Sequence, residues 1–528
     1  MARDSAGAPE GSGARMSPEL EAEARERLSD LCLLVQAQAG PADPRGLIQS
    51  CPRLVALAES LGDRKAQAHA WHHLGIAHSR LGSFEEALDA YSKAIELWSE
   101  IGDRAGELRS RQGLVNAYEL VGQPESALAQ AQVVAEADSW FLRCTGLISI
   151  AAIRHLMGDY PGAKAMIEDA EALLAGAPAN PRETAYLQAY LAGNRANIHL
   201  DTGEFAEALD ASTQMSASAA MADSRSQSLE SLINTGLCHL RLGSMADSWR
   251  CLTQARQGAS LAGDRLREAT ANWALSEWYV CAGLCGNAVV HAEAARSLAS
   301  SSQARFALIQ ACLALGAAHL EARQPERAIE PLDAAIAAAR ALRAAHQEAS
   351  GEVLLARVAL HQGRAKDAAD ALSRCLSRAR AMGALGLAAD AQSAWASALL
   401  RLGHTEAACE EAVAAAAAAE QQGAVHTLWT AGHVAAKAHA ALGRTDEALA
   451  CFRTAVGTVE EMWWPLWRIG FAEVKDIKQS VVDLYLDYIR FATASGCPDE
   501  VRRVLAMSPW SFLRERCERE GLLSVVFE

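Results

Sequence analysis

Residues 71–98 read WHHLGIAHSRLGSFEEALDAYSKAIELW, and the fold is decided by this stretch. Leu74, His78 and Leu81 share one face of a 3.6-residue period. Ala87, Tyr91 and Ala94 share another after a break. Gly82 stands where a helix needs a left-handed residue to end. Ser83 and Glu86 then have capping-box spacing for a second helix. Gly75, Ala87 and Ala94 are small enough to let two helices approach closely, with Tyr91 filling the gap between them. The stretch predicts an antiparallel helix pair closed by a tight turn.

The unit recurs. A turn glycine followed five places later by a small residue appears at Gly82/Ala87, Gly122/Ala127, Gly158/Ala163, Gly203/Ala208, Gly243/Ser248, Gly283/Ala288, Gly363/Ala368, Gly403/Ala408 and Gly443/Ala448. Arg323/Ala328 fits the same grid with the glycine replaced. From Gly203 to Gly443 the step is 40 residues throughout, which predicts stacked repeats, each burying its apolar face against its neighbours. At Gly62-Asp63, Gly102-Asp103 and Gly263-Asp264 a glycine ends one repeat and an aspartate caps the next. The step from Gly158 to Gly203 is 45 residues, and the surplus is expected in the loop Gly176 to Pro181, a candidate hinge.

In order and spacing, Trp71, Leu74, Gly75, Ala87, Tyr91 and Ala94 resemble the tetratricopeptide-repeat (TPR) signature, in its 40-residue form. The resemblance implies an all-α, right-handed α-solenoid of about ten to eleven helix pairs with a divergent C-terminal cap. The expected organisation is a disordered tail over 1–16, a capping helix pair over 17–62, the solenoid over 63–456 and an aromatic-rich helical cap over 457–528. Phe452, Trp463, Trp464, Trp467, Phe471, Tyr485, Tyr488, Phe491, Trp510, Phe512 and Phe527 crowd this end, either closing the last open face or forming a docking surface. The run from Lys478 through Leu484-Tyr485-Leu486-Asp487-Tyr488-Ile489 to Ser511-Phe512-Leu513 resembles the helices that precede CHAT protease domains. The sequence ends at Glu528, and no protease module is expected from it.

A formal charge of −15 argues against nucleic acid and anionic membrane surfaces as partners. No apolar core segment of a secretory signal stands at the start, and no stretch reaches transmembrane length. Thirteen cysteines lie scattered through helical patterns, Cys312, Cys375 and Cys451 at apolar positions, and read as reduced thiols of a cytoplasmic protein. A bridge between Cys281 and Cys285 stays open at this level. Scarce lysine and abundant alanine suggest a bacterial genome rich in GC.

Chemistry-bearing patterns are few. His69 with His72 or His73 has the i,i+3 or i,i+4 spacing that places two imidazoles on one metal, but no further ligand stands at fixed spacing, so no metal and no cofactor is expected. His291-Ala292-Glu293 lacks the cysteine pair of a zinc deaminase. Phosphate-binding loops, nucleophile elbows and His-Glu-x-x-His are missing from the sequence. What remains is the groove lined by the first helix of each repeat. Its partner-binding candidates are Arg109, Gln112, Asn116, Asn197, Trp273, Glu277, Arg357, His433 and Lys437. Trp273 is either a groove hot spot or core. The expected function is a non-catalytic scaffold or adaptor holding a protein or peptide there. The alternative is a regulatory subunit controlling a separately encoded effector, a CHAT-type protease or a transcription regulator.

Overall fold

The computed structural model describes residues 18–38, 44–176, 180–302, 304–468, 479–507 and 517. Among the described residues there are twenty-four helices and no strand. Successive helices pair as hairpins: α3 (Arg64–Leu81) with α4 (Phe84–Ile101), and further along α7 (Trp140–Leu156) with α8 (Tyr160–Ala175) and so on to α21 (Val425–Ala441) with α22 (Thr445–Arg468). The pair α1 (Pro18–Gln38) with α2 (Pro44–Ser60) comes before these in the chain, and α23 (Gln479–Ala494) with α24 (Pro498–Met507) comes after them. This is an all-α solenoid. None of the described helices is long and apolar enough to cross a membrane.

The hairpin turn is closed by backbone geometry. Gly82 sits at φ 79°, which lets the N–H of Ser83 donate to the carbonyl of His78, five residues back, and so satisfy a helix-end acceptor. All nine turn glycines take positive φ. Arg323, in the glycine's place, takes φ 57° and closes the same bond from Gln324 to His319. Asp63, Asp103 and Asp264 cap their helices by accepting from the N–H groups of Ala66, Gly106 and Arg267. Three sequence expectations are corrected. The Ser83 side chain makes no capping bond. Leu81 is exposed although it shares the helix face of the buried Leu74. Most of the surplus lies in α9 (Pro181–Thr202), which has 22 residues where most first helices have 17 or 18, and residues 177–179 of the expected loop lie outside the described residues.

The chain divides into two compact units, residues 1–117 and 118–528, the division falling within α5 (Arg104–Val121). In unit one the ring of Tyr91 lies against both Gly75 and Gly113; a Cβ at either would come within 2.7 Å of it. Trp98 is seated in the same manner against Gly106.

Unit two winds back on itself. The turn glycines Gly122, Gly158, Gly203 and Gly243 lie against Leu342, Met382, Gln422 and Met462, about 220 residues or five and a half repeats further along. Glu125 pairs with Arg343 and Phe205 packs on Ala419 and Ala424 along this seam. At its C-terminal end Phe452, Trp463, Tyr485 and Tyr488 are buried in one cluster, with Phe452 and Tyr488 stacked at 5.1 Å, while Trp464 is half exposed. α22 continues without a break across residues 456 and 457. The tail 1–16, Phe471, Trp510, Phe512, Phe527 and the side chain of Trp467 lie outside the described residues.

Candidate functional site: the first-helix face

In unit two the first helices of successive repeats lie side by side, so residues about 37 apart meet across them and form a polar ladder. Asn234 Nδ2 donates to Asn197 Oδ1 at 3.1 Å. Arg267 pairs with Glu230 at 2.9 Å, Arg241 with Glu277 at 2.8 Å and Arg357 with Glu321 at 3.0 Å. Thr427 donates to Asp390. His433 and Lys437 both reach Asp487, on α23, at 3.0 and 3.1 Å. Burial pushes the Asp487 carboxyl up, but hydrogen bonds from His433 and the charge of Lys437 outweigh it and hold the group below the usual carboxylate range.

Of the sequence candidates, Asn197, Glu277, Arg357, His433 and Lys437 thus belong to this ladder, each paired with a residue of another helix. Trp273 is half-buried against the cluster of Ala292, Ala314 and Leu315. The structure brings Arg109, Gln112 and Asn116 together on α5 in unit one, where Gln112 Nε2 donates to Asn116 Oδ1 at 3.2 Å and Arg109 is exposed.

Beside them on α3 stand the histidines. His69 and His73 stack at 6.4 Å, and His72 Nδ1 lies 3.0 Å from Ser110 Oγ. That hydroxyl donates to the Gly106 carbonyl, so the ring supplies the proton to it. Among the described residues no three His, Cys, Asp or Glu side chains come together as a metal set. Burial, then the neighbouring His73 and Arg109, push His72 down to about 3; burial and His69 push His73 down to about 4. Both therefore fold as neutral rings. A depressed folded value means stability present above the unfolded value, about 6.5, and lost as pH falls below it. Unit one is expected to loosen between about pH 6.5 and 4. His72→Gln should flatten that loss, read by hydrogen exchange of α3 amides at each pH.

Sequence reading missed a second cluster, on the seam of unit two. Asp201 accepts from His155 Nε2 at 2.9 Å and faces His346 Nε2 at 3.8 Å, and His346 Nδ1 lies 3.1 Å from the Tyr160 hydroxyl. Burial raises the Asp201 carboxyl, yet His346 and His155 together bring it below its ordinary value. The only sequence signal was Tyr160, a bulky residue two places after a turn glycine.

Residues 66–139 match the tetratricopeptide repeat family. No curated protein matches the sequence. Among solved structures, the Rap protein complexed with competence and sporulation factor superposes with a TM-score of 0.52 at 12% identity, over 67% of this chain and 98% of that one. The APC/C hetero-tetramer Cut9–Hcn1 gives 0.46 at 11% identity, over 97% and 99%. Aspartyl phosphate phosphatase F from Bacillus subtilis gives 0.41 at 14%, over 66% and 93%. At these identities the likeness is one of fold.

Proposed function

We propose that this chain, a tetratricopeptide-repeat protein, is a non-catalytic scaffold that holds a protein or peptide on the face of its first helices. The observation that carries the reading is the placement of amide and charged side chains at repeat spacing along that face. A chain of amides and ions at fixed intervals suits an extended peptide, whose backbone offers donors and acceptors at regular spacing. The Rap protein in complex with competence and sporulation factor is a fold-level precedent, no more.

Tagged full-length protein is expected to retain a partner that co-elutes with it in size-exclusion chromatography. Substitutions on the first-helix face should abolish that retention, while substitutions on exposed second-helix positions such as Glu85 or Glu406 should not. A preparation that retains nothing and shows measurable turnover would overturn the reading.

A further inference from the structure

The first helices of unit one gather Lys65, Arg109 and the rings of His69, His72 and His73 within electrostatic reach of one another. In unit two Arg241, Arg267, Arg357 and Lys437 each meet an acid. α3 carries Arg64, Lys65, Arg80 and four histidines and not one carboxylate. On α5, up to Ala117, the single carboxylate is Glu107, and Arg104 and Arg111 already hold it at 2.9 and 2.7 Å. Among the described residues neither Lys65 nor Arg109 forms an ion pair. All this occurs in a chain of net charge −15, where uncompensated cations on one face are against the trend.

We propose that the α3–α5 face of unit one is the docking surface for an acidic segment of a partner protein. Lys65, Arg109, His69 and His73 receive the segment's carboxylates, while Gln112 and Asn116 grip its backbone. The proposal rests on the scaffold reading above and names the partner's chemistry. A polypeptide fits better than a nucleic acid. Phosphate tracking needs a long row of permanent cations, and here two stand free among amides and neutral rings.

Binding is also expected to be coupled to protons. The charged groups facing the rings are Lys65, Arg80 and Arg109, with Asp63 and Asp103 at the helix starts. An arriving carboxylate offsets the burial and like-charge repulsion that keep the rings neutral, so they take up protons as the segment docks. Affinity should therefore rise from pH 8 to pH 6.

The test is fluorescence anisotropy with the full chain and labelled octaglutamate, octalysine, a Gly-Ser peptide and a single-stranded oligonucleotide. Octaglutamate is expected to bind, more tightly at pH 6 than at pH 8, and the others not. Arg109→Glu should weaken it at least tenfold, Arg109→Gln less, and Arg374→Glu, an exposed control on α18 (Ala365–Met382), not at all. Unchanged circular dichroism melts confirm that the variants fold. Absent octaglutamate binding, equal affinity in Arg109→Glu, or tighter binding of the oligonucleotide would overturn the proposal. If a natural partner is retained equally by Arg109→Glu, this inference fails and the scaffold reading stands. If no partner is retained at all, the scaffold reading fails first.

Discussion

Trp278→Ala is expected to cost about 3–5 kcal/mol from the lost contacts and the cavity they leave. The side chain is fully buried within the cluster formed by Leu237, Met245, Leu252 and Leu275, edge-on to Tyr279 at 5.1 Å. Its Nε1 donates to the Met245 carbonyl at 2.9 Å, the first residue of α12 (Met245–Ala262). Alanine also removes this second bond to a carbonyl that the α12 ladder already engages, a further loss of about 0.5–1.5 kcal/mol. Trp278→Phe keeps most of the apolar contact and loses the donor, so its smaller cost separates the two effects. In a simple stack of repeats the damage would stay local, since each repeat touches only its neighbours. Denaturant titration with hydrogen exchange checks the claim: α12 and α13 (Arg265–Cys281) should open first, while α3 and α4 in unit one keep their protection. Equal loss of protection in α3 would contradict it.

The repeat was legible because its signals are local. A left-handed turn needs glycine, a helix start favours aspartate, and a close helix pair needs a small residue; each is fixed by the residue itself. The polar ladder was half legible. Period arithmetic placed Glu277, Arg357, His433 and Lys437 on first helices, but a groove residue's partner sits on the next repeat or beyond, and a single unit does not reveal whether it is taken. Asp487 shows the difficulty: it lies on α23, outside the regular grid, and engages two candidates at once. The seam was illegible for the same reason at longer range. In hindsight it has a signature. Turns on the seam bury Pro124, Tyr160, Phe205 and Met245 two places after the glycine, whereas the open turns carry Ala365, Thr405 and Thr445 there. On the facing edge, Ala345 and Val425 seat against the glycines, while the equivalent positions Arg225 and Arg265 are exposed. Bulk marks the edges that pair and charge marks those that face water, as edge strands are blunted in sheets.

Gly203→Ala tests whether that seam couples distant repeats. Gly203 sits at φ +83°, so any Cβ costs about 1–2 kcal/mol in backbone strain alone. Here the Cβ would also stand 2.9 Å from the backbone nitrogen of Gly386 and 3.1 Å from Gln422 Oε1. A flexible side chain could move aside; the backbone of α19 (Leu385–Arg401) cannot without shifting the helix that carries it. Gly363→Ala is the matched control, at φ +79° with nothing within 4 Å of the new Cβ. The strain is common to both variants, so the difference between them reports the seam. We expect Gly203→Ala to lose about 1–3 kcal/mol more than Gly363→Ala, the range of an overpacked interior. The location of the effect matters more than its size. Hydrogen exchange should speed up in α19, some 180 residues from the substitution, while Gly363→Ala changes exchange only beside its own turn. Equal destabilisation by the two variants, or unchanged α19 protection in Gly203→Ala, would mean that the winding of unit two brings its edges near each other without joining them energetically. If the distant response appears, the repeats of unit two do not behave as a one-dimensional stack: whatever binds one part of its first-helix face is then felt about five repeats away, across the seam and not along the chain.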